Sequence, residues 1–274
     1  MAGPVLLAVS SGKGGVGKST VSLNLALALA AQESSTGLLD ADIYGPDIPL
    51  MVGVTRRAPA KGVTIWRDPK HGRMIEPLER FGIKIMSTQF LIAENQALSW
   101  SAPLVELLLQ RFTNDVAWGD LDVLVIDLPP GTADIQQQLS RRLRLAGALI
   151  VVTPQDAAHL DAKKVLTMFE QLAVPVVGGV ENMSGLTCPC CGHVMELFEP
   201  VARERSIWAT GVERLVQIPV HRSVAGSGGR PLLVEHPESA EAEAFRTFGN
   251  VNVGVPAGVG PASGWPSALR ATRG

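Results

Sequence analysis

The chain alternates short apolar runs with segments whose apolar residues recur at helical spacing. Residues 5–9, 38–39 ahead of Asp40, 83–86, 123–126, 148–152, 176–180 and 215–218 are rich in Val, Ile and Leu and read as strands. Their apolarity is continuous rather than alternating, which predicts strands buried on both faces of a parallel sheet. Val165, Met168, Phe169 and Leu172 fall at i, i+3, i+4 and i+7, one face of a helix. Ile135, Leu139 and Leu143 repeat at i+4 in the same way, and residues 21–31 form a strongly apolar helix. Strands alternating with helices predict an α/β fold, a doubly wound and mostly parallel sheet flanked by helices. Two segments break the rhythm. Residues 51–80, with Gly53, Pro59, Gly62, Pro69, Gly72 and Pro77, predict an irregular or hairpin insertion. Residues 254–274 hold five Gly, three Pro and no acidic residue, which predicts disorder. The expected organisation is one domain over residues 1–250 and a disordered tail over 251–274.

Composition narrows the class. Of the 274 residues 46% are hydrophobic and 18% charged, so a large core is available and wholesale disorder is excluded. Lys plus Arg total 24 against 26 Asp plus Glu, a net charge of −2 that argues against a protein built to coat nucleic acid. Arg141, Arg142 and Arg144 read as a solvated helix face. No basic, signal-like segment precedes Val5, and no run of about 18 apolar residues occurs. Pro256, Pro261 and Pro266 bar an amphipathic membrane helix from the tail. The expectation is a cytoplasmic protein without nucleic-acid or membrane partners.

The strongest chemical signal follows the first strand. Gly12-Lys13-Gly14-Gly15-Val16-Gly17-Lys18-Ser19, preceded by Ser10-Ser11 and followed by Thr20, contains G-x-x-x-x-G-K-S and opens the helix at Val21. Glycines let the backbone curl so that successive N–H groups face phosphate oxygens, and the helix N-terminus adds partial positive charge. Lys18 is placed to reach the β- and γ-phosphates, and the Ser19 hydroxyl to ligate Mg²⁺. Residues 121–127 form an apolar strand ending in Asp127, the Walker B arrangement, which would hold Mg²⁺ through its water shell. Pro129-Pro130-Gly131-Thr132 then makes a rigid loop close to where a γ-phosphate would lie.

All three cysteines lie together as Cys188-Pro189-Cys190-Cys191. An odd count in one cluster is no disulfide framework and points to a reducing compartment. Cys188 and Cys191 form a C-x-x-C pair, half of a tetrahedral zinc site or of a 4Fe–4S cluster site. A two-fold dimer would complete the four ligands. A zinc knuckle including His193 and a thiol–disulfide pair are the competing readings, and Cys190 has no assigned role.

Taken in order, the phosphate loop, Asp40-Ala41-Asp42-Ile43-Tyr44-Gly45-Pro46, Asp127-Leu128-Pro129-Pro130-Gly131-Thr132, Thr153-Pro154-Gln155-Asp156 and Glu181-Asn182-Met183-Ser184 before C-x-x-C resemble the Mrp/ApbC family of iron–sulfur cluster carriers. Lys-Gly-Gly-Val-Gly-Lys-Ser is similar to the deviant Walker A motif of the wider MinD/ParA/nitrogenase-iron-protein class, which implies the P-loop NTPase fold. The resemblance implies a weakly hydrolysing, ATP-binding homodimer with Mg²⁺ that carries a bridging 4Fe–4S cluster to apoproteins. It further implies that Lys13 crosses to the partner's nucleotide and that Asp42 positions the attacking water. Asp40 would sit near Mg²⁺, Asn182 against adenine, and Cys188 with Cys191 would ligate the cluster. A MinD/ParA-like positioning ATPase and a phosphate-loop enzyme with structural zinc are the alternatives. Departures from the family pattern stand at Asp47, where Ser is common, at Trp100-Ser101-Ala102-Pro103, and after Cys191, where a glycine-rich stretch is replaced by Leu197-Phe198-Glu199-Pro200. Many members carry an accessory domain ahead of the first strand, and the expectation here is a chain that starts at that strand.

Overall fold

A computed structural model describes residues 3–54, 65–68, 72–90, 107–108, 111–112, 115–132, 134–188, 190–191, 193–220 and 230–250. The elements, in chain order, are β1 (Val5–Ser11), α1 (Lys18–Ala30), β2 (Thr36–Asp40), α2 (Ile48–Met51), β3 (Ile65–Asp68), β4 (Gly72–Ile75), β5 (Leu78–Arg80), β6 (Ile83–Ser87) and β7 (Val123–Asp127). They continue with α3 (Asp134–Arg142), β8 (Gly147–Val152), α4 (Asp156–Gln171), β9 (Val176–Thr187), β10 (Val194–Met195), β11 (Arg214–Val220), α5 (Leu232–Glu235) and α6 (Ala240–Asn250). Every strand expected from the apolar runs is present.

The main sheet runs β10-β9-β8-β1-β7-β2-β6-β5, with β11 on the other side of β9. The pairs β1/β7, β1/β8, β2/β7, β2/β6, β8/β9 and β9/β11 are parallel, while β5/β6 and β9/β10 are antiparallel. From β1 the chain crosses by α1 toward β2, and from β8 it crosses by α4 in the opposite direction to β9. Right-handed crossovers in opposite directions place α1 and α4 on opposite faces of the sheet. The central strands are therefore covered twice, and β2 and β8 are buried along their whole length. The sheet changes direction at β1, which opens a crevice at the carboxyl ends of its strands.

The helix α1 is buried from Val21 to Ala28 on all sides, wedged between the sheet and α6. That is the fate of a helix apolar all round. The helix α4 is one-sided: Ala158, Ala162, Val165, Met168 and Phe169 face the core. The insertion does contain a hairpin, β3 against β4. The Trp100–Pro103 departure and the expected tail over 251–274 lie outside the described residues. No helix among the described residues is long and apolar enough to cross a membrane.

The final helix closes the α1 side of the core through Phe245 and Phe248, both buried. Phe245→Ala should lower unfolding stability by about 3–5 kcal/mol, read as the denaturation midpoint in urea. Arg246→Ala, which removes an exposed pair with Glu243 at 2.7 Å, should cost less than about 1 kcal/mol.

Candidate functional site

The phosphate loop is shaped by what surrounds two of its glycines. A Cβ on Gly12 would lie 2.3 Å from the carbonyl carbon of Asp161 in α4. Gly17 has φ of +83°, and a Cβ there would meet Asn182 Nδ2 at 2.2 Å. The chain thus enters α1 with no capping side chain at Gly17 and no acidic residue in the first turn. The first N–H groups of α1, including those of Ser19 and Thr20, lack helical partners and remain available to an anion. That is a positive fit to a phosphate. Around the loop, Asn182 Nδ2 donates to Val16 O at 2.8 Å and Ser11 Oγ to Lys13 O at 3.0 Å. Gly14 and Gly15 at its tip are exposed.

Register then assembles the charges. Asp40 and Asp127 are partners across β2 and β7, and Asp40 and Ser87 across β2 and β6. The three side chains therefore stand in one row at the carboxyl ends of their strands, beside the start of α1. Lys18 Nζ lies 2.9 Å from Asp127 Oδ2 and 3.5 Å from Asp42 Oδ2, and only 6% of its side chain is exposed. Ser19 Oγ donates to Asp127 Oδ2 at 2.7 Å, and Ser87 Oγ to Asp40 Oδ2 at 3.0 Å. Gly45 N donates to Asp42 Oδ1 at 3.3 Å, tying down the loop after β2. Burial alone would depress the Lys18 ammonium, but Asp127 and Asp42 overturn it and hold the group above its usual value. Burial and then the Asp127 charge push the Asp40 carboxyl well above the carboxylate range, against the opposing pull of Lys18 and Ser87. Asp42 is raised by burial too, with Lys18 opposing. Three carboxylates face one ammonium, and the hard oxygens of Ser19 and Asp127 sit together. This donor set fits a Mg²⁺–nucleotide.

Lys13 is half-buried and donates from Nζ to Gln155 Oε1 at 2.9 Å. Within one chain it is thus folded back onto the turn before α4. The loop at Gly131 hydrogen-bonds to Ser11 O at 2.8 Å and lies beside the phosphate loop.

The cysteines stand where β9 ends. Cys188 N donates to His193 O at 2.8 Å, closing the loop. Cys188 is half-buried, Cys190 and Cys191 are exposed, and all three are free thiols. The backbone N–H groups of Cys190 and Cys191 lower the Cys188 pKa, favouring its thiolate. No group of three or more His, Cys, Asp or Glu among the described residues is arranged to hold a metal.

One feature escaped sequence reasoning. A cavity of about 260 Å³ lies against β9 and β11, walled by Phe198 and Pro200 of the departing segment and by Val201 and Trp208. Glu181 lines it, accepting from Gln217 Nε2 at 2.6 Å, Trp208 Nε1 at 3.2 Å and Arg214 Nη1 at 3.4 Å. His159 Nδ1 accepts from Ile207 N at 3.2 Å, and its ring stands edge-on to Trp208. The sequence offers no local signal for it, because Glu181 directly follows the apolar run expected as a strand over 176–180.

A family model described as the NUBPL iron-transfer P-loop NTPase (ParA) matches residues 4–251. The iron–sulfur cluster carrier protein of Haemophilus influenzae is 45% identical over 242 residues, 88% of this chain and 63% of that protein. The chain thus spans less than two thirds of that relative's length. Among solved structures, a nucleotide-binding protein from Archaeoglobus fulgidus in complex with ADP is 36% identical, with a TM-score of 0.70 over 88% of this chain and 91% of that one. The cell-division ATPase MinD of Pyrococcus furiosus, 22% identical with a TM-score of 0.61 over 89% of this chain and 96% of that one, shares the fold.

Burial holds the His159 pKa below its ordinary 6.5, against Glu181 and Asp156. The unfolded chain therefore takes up this proton first on acidification, so the His159 contribution to stability is complete above about pH 6.5 and is lost below it. Urea midpoints measured from pH 7.5 to 5 should fall for the wild type and fall less steeply for His159→Gln. Equal slopes would remove this assignment.

Proposed function

The chain belongs to the NUBPL-type iron-transfer P-loop NTPases, and from that premise we propose that it is an iron–sulfur cluster carrier. In this proposal it binds ATP with Mg²⁺ and hydrolyses it weakly. Two copies hold a 4Fe–4S cluster as cargo between them and deliver it to apoproteins. The observation that carries the proposal is strand β9. It places Asn182 against the phosphate loop and, six residues later, presents Cys188 at the start of the cysteine loop. The proposed nucleotide and cargo sites are thereby joined by one continuous strand. The ADP of the Archaeoglobus fulgidus protein, and the cobalt found in it, support a nucleotide and a metal for the same fold at 36% identity.

The roles in this proposal join the geometry of the phosphate loop to what the family resemblance implies for Lys13, Asp42 and Asn182. The α1 N-terminus and Lys18 bind the phosphates, and Lys18 then exchanges its carboxylate partners for phosphate oxygens. Ser19 and Asp127 hold Mg²⁺, which when bound neutralises phosphate charge. Asp40 and Asp42, at the end of β2, line the same pocket, with Asp42 orienting the attacking water and Asn182 lying against the base. Lys13 leaves Gln155 and reaches the nucleotide of the other copy, adding positive charge where the transition state spreads negative charge. Two thiolates per chain make half of a four-thiolate site, so Cys188 and Cys191 from each of two copies complete it.

Anaerobic reconstitution with iron and sulfide tests the cargo. The wild type should become a brown dimer, Cys190→Ala should do the same, and the double variant Cys188→Ala/Cys191→Ala should stay colourless and bind no iron. A coloured double variant would falsify the ligand assignment. A colourless wild type that retains one zinc per chain would overturn the carrier proposal.

For hydrolysis, Lys18→Ala should lose nucleotide binding. Lys13→Ala should keep binding but lose turnover by about tenfold or more, as removal of a cross-subunit cation does. Unchanged turnover in Lys13→Ala would remove the role of the second copy.

A further inference from the structure

The carboxylate of Asp127 divides its two oxygens between two tasks. Oδ2 faces the phosphate loop, where it accepts from Ser19 Oγ at 2.7 Å and meets Lys18 Nζ at 2.9 Å. Oδ1 accepts from Ser22 Oγ at 2.7 Å. Ser22 lies one turn beyond Lys18 on α1, and neither Ser22 nor Asp127 has any exposed surface. Water therefore has no access with which to replace this bond. Ser22 Oγ also lies 3.0 Å from Lys18 O, the usual back-bond of a helical serine. A hydroxyl carries one proton, and the charged acceptor at the shorter distance binds it more strongly.

The sequence context makes this hydroxyl conspicuous. Val21, Leu23, Leu25 and Leu27 are all buried apolar residues, and Ser22 stands in the same enclosed helix. A buried hydroxyl is costly unless it is hydrogen-bonded, and packing alone would be met by alanine, a better helix former. Its position also lies outside G-x-x-x-x-G-K-S, so the motif gives it no role.

We propose that Ser22 is a positioning residue for Mg²⁺. By holding Oδ1 it fixes the rotation of the Asp127 carboxylate, so that Oδ2 stays on the Ser19 side, where the metal is held. Without it, the carboxylate is free to rotate and to pair both oxygens with Lys18, which competes with its service to the metal. Partners of this outer kind set metal affinity in many sites. The inference rests on the Mg²⁺–nucleotide assignment proposed above.

The test is the thermal shift of the full chain with ADP, once in EDTA and once across a Mg²⁺ series. Wild type should gain thermal stability from ADP in EDTA and gain more as Mg²⁺ rises. Ser22→Ala should keep the EDTA response and need about tenfold more Mg²⁺ for half of the additional gain. Ser22→Thr, which restores the hydroxyl, should return toward wild type. Ser22→Cys, a near-isostere with a weak donor, should shift in the direction of Ser22→Ala and serves if the alanine variant does not fold. Equal Mg²⁺ requirements in wild type and Ser22→Ala would overturn the proposal. So would a proportional loss of the EDTA response, which marks a packing role only. A wild type whose ADP response ignores Mg²⁺ would overturn the metal assignment itself and the Ser22 role with it.

Discussion

Everything at this site is arranged around an ammonium group taken out of water. Lys18 is buried at the start of α1, and an isolated buried charge of that size is prohibitive. Two opposite charges 4 Å apart interact by about 4 kcal/mol at an effective dielectric of about 20. The carboxylates of Asp127 and Asp42, both within 3.5 Å, together with Asp40, therefore oppose the effect of burial and hold the Lys18 ammonium above its usual value. The constraint is architectural. Asp127 closes β7, and Asp42 follows the end of β2 two residues after Asp40, so the sheet must bring both strand ends to the same level beside α1. The register of β2 on β7 does so, and a slip of one residue would turn Asp40 to the other face. In the proposed function, phosphate oxygens would take the place of these carboxylates around a charge that must be compensated in either state.

The sheet was legible in the sequence because its strands are buried on both faces, so their apolarity is uninterrupted. The start of α1 was legible from its phosphate-loop motif. The far half of β9 was not, because Glu181 and Asn182 break the apolar run, and nothing local says that a polar pair will be accommodated by Trp208, Gln217 and Val16. β10 contributes only two residues, too few to carry a period. α6 went unread because its core face rests on few large residues, Phe245 and Phe248 among alanines. The site divides in the same way. Lys18, Ser19 and Asp127 announce themselves by spacing, whereas Lys13 on Gln155 and Ser22 on Asp127 join positions more than 100 residues apart. Such pairings are made by topology and leave no local pattern.

β9 performs two services on one backbone. Asn182 turns to the phosphate loop, while Glu181 turns to the opposite side and gathers Trp208, Gln217 and Arg214. Immediately afterward Met183 adopts φ of +58°, a conformation uncommon for a side-chain-bearing residue, and the pairing with β11 shifts between Ile218 and Val220. The strand is thus irregular on both sides of Asn182, with register shifts also opposite Val176–Gly178 and Gly179–Val180. From the segment that departs from the family pattern, Phe198 and Pro200 line the same cavity as Ser184 of that irregular part.

The enclosure of α1 has a mechanical consequence. A helix with core on every side and the final helix behind it cannot recoil when its N-terminus receives a ligand. It behaves as a fixed post, against which the turns after β2 and β7 are set. The turn after β2 reaches solvent at Tyr44 but is held at Gly45 by Asp42, and the turn after β7 is tied at Gly131 to Ser11 O. The start of α1 is thus a stator, and both turns beside it are anchored to the site rather than free of it.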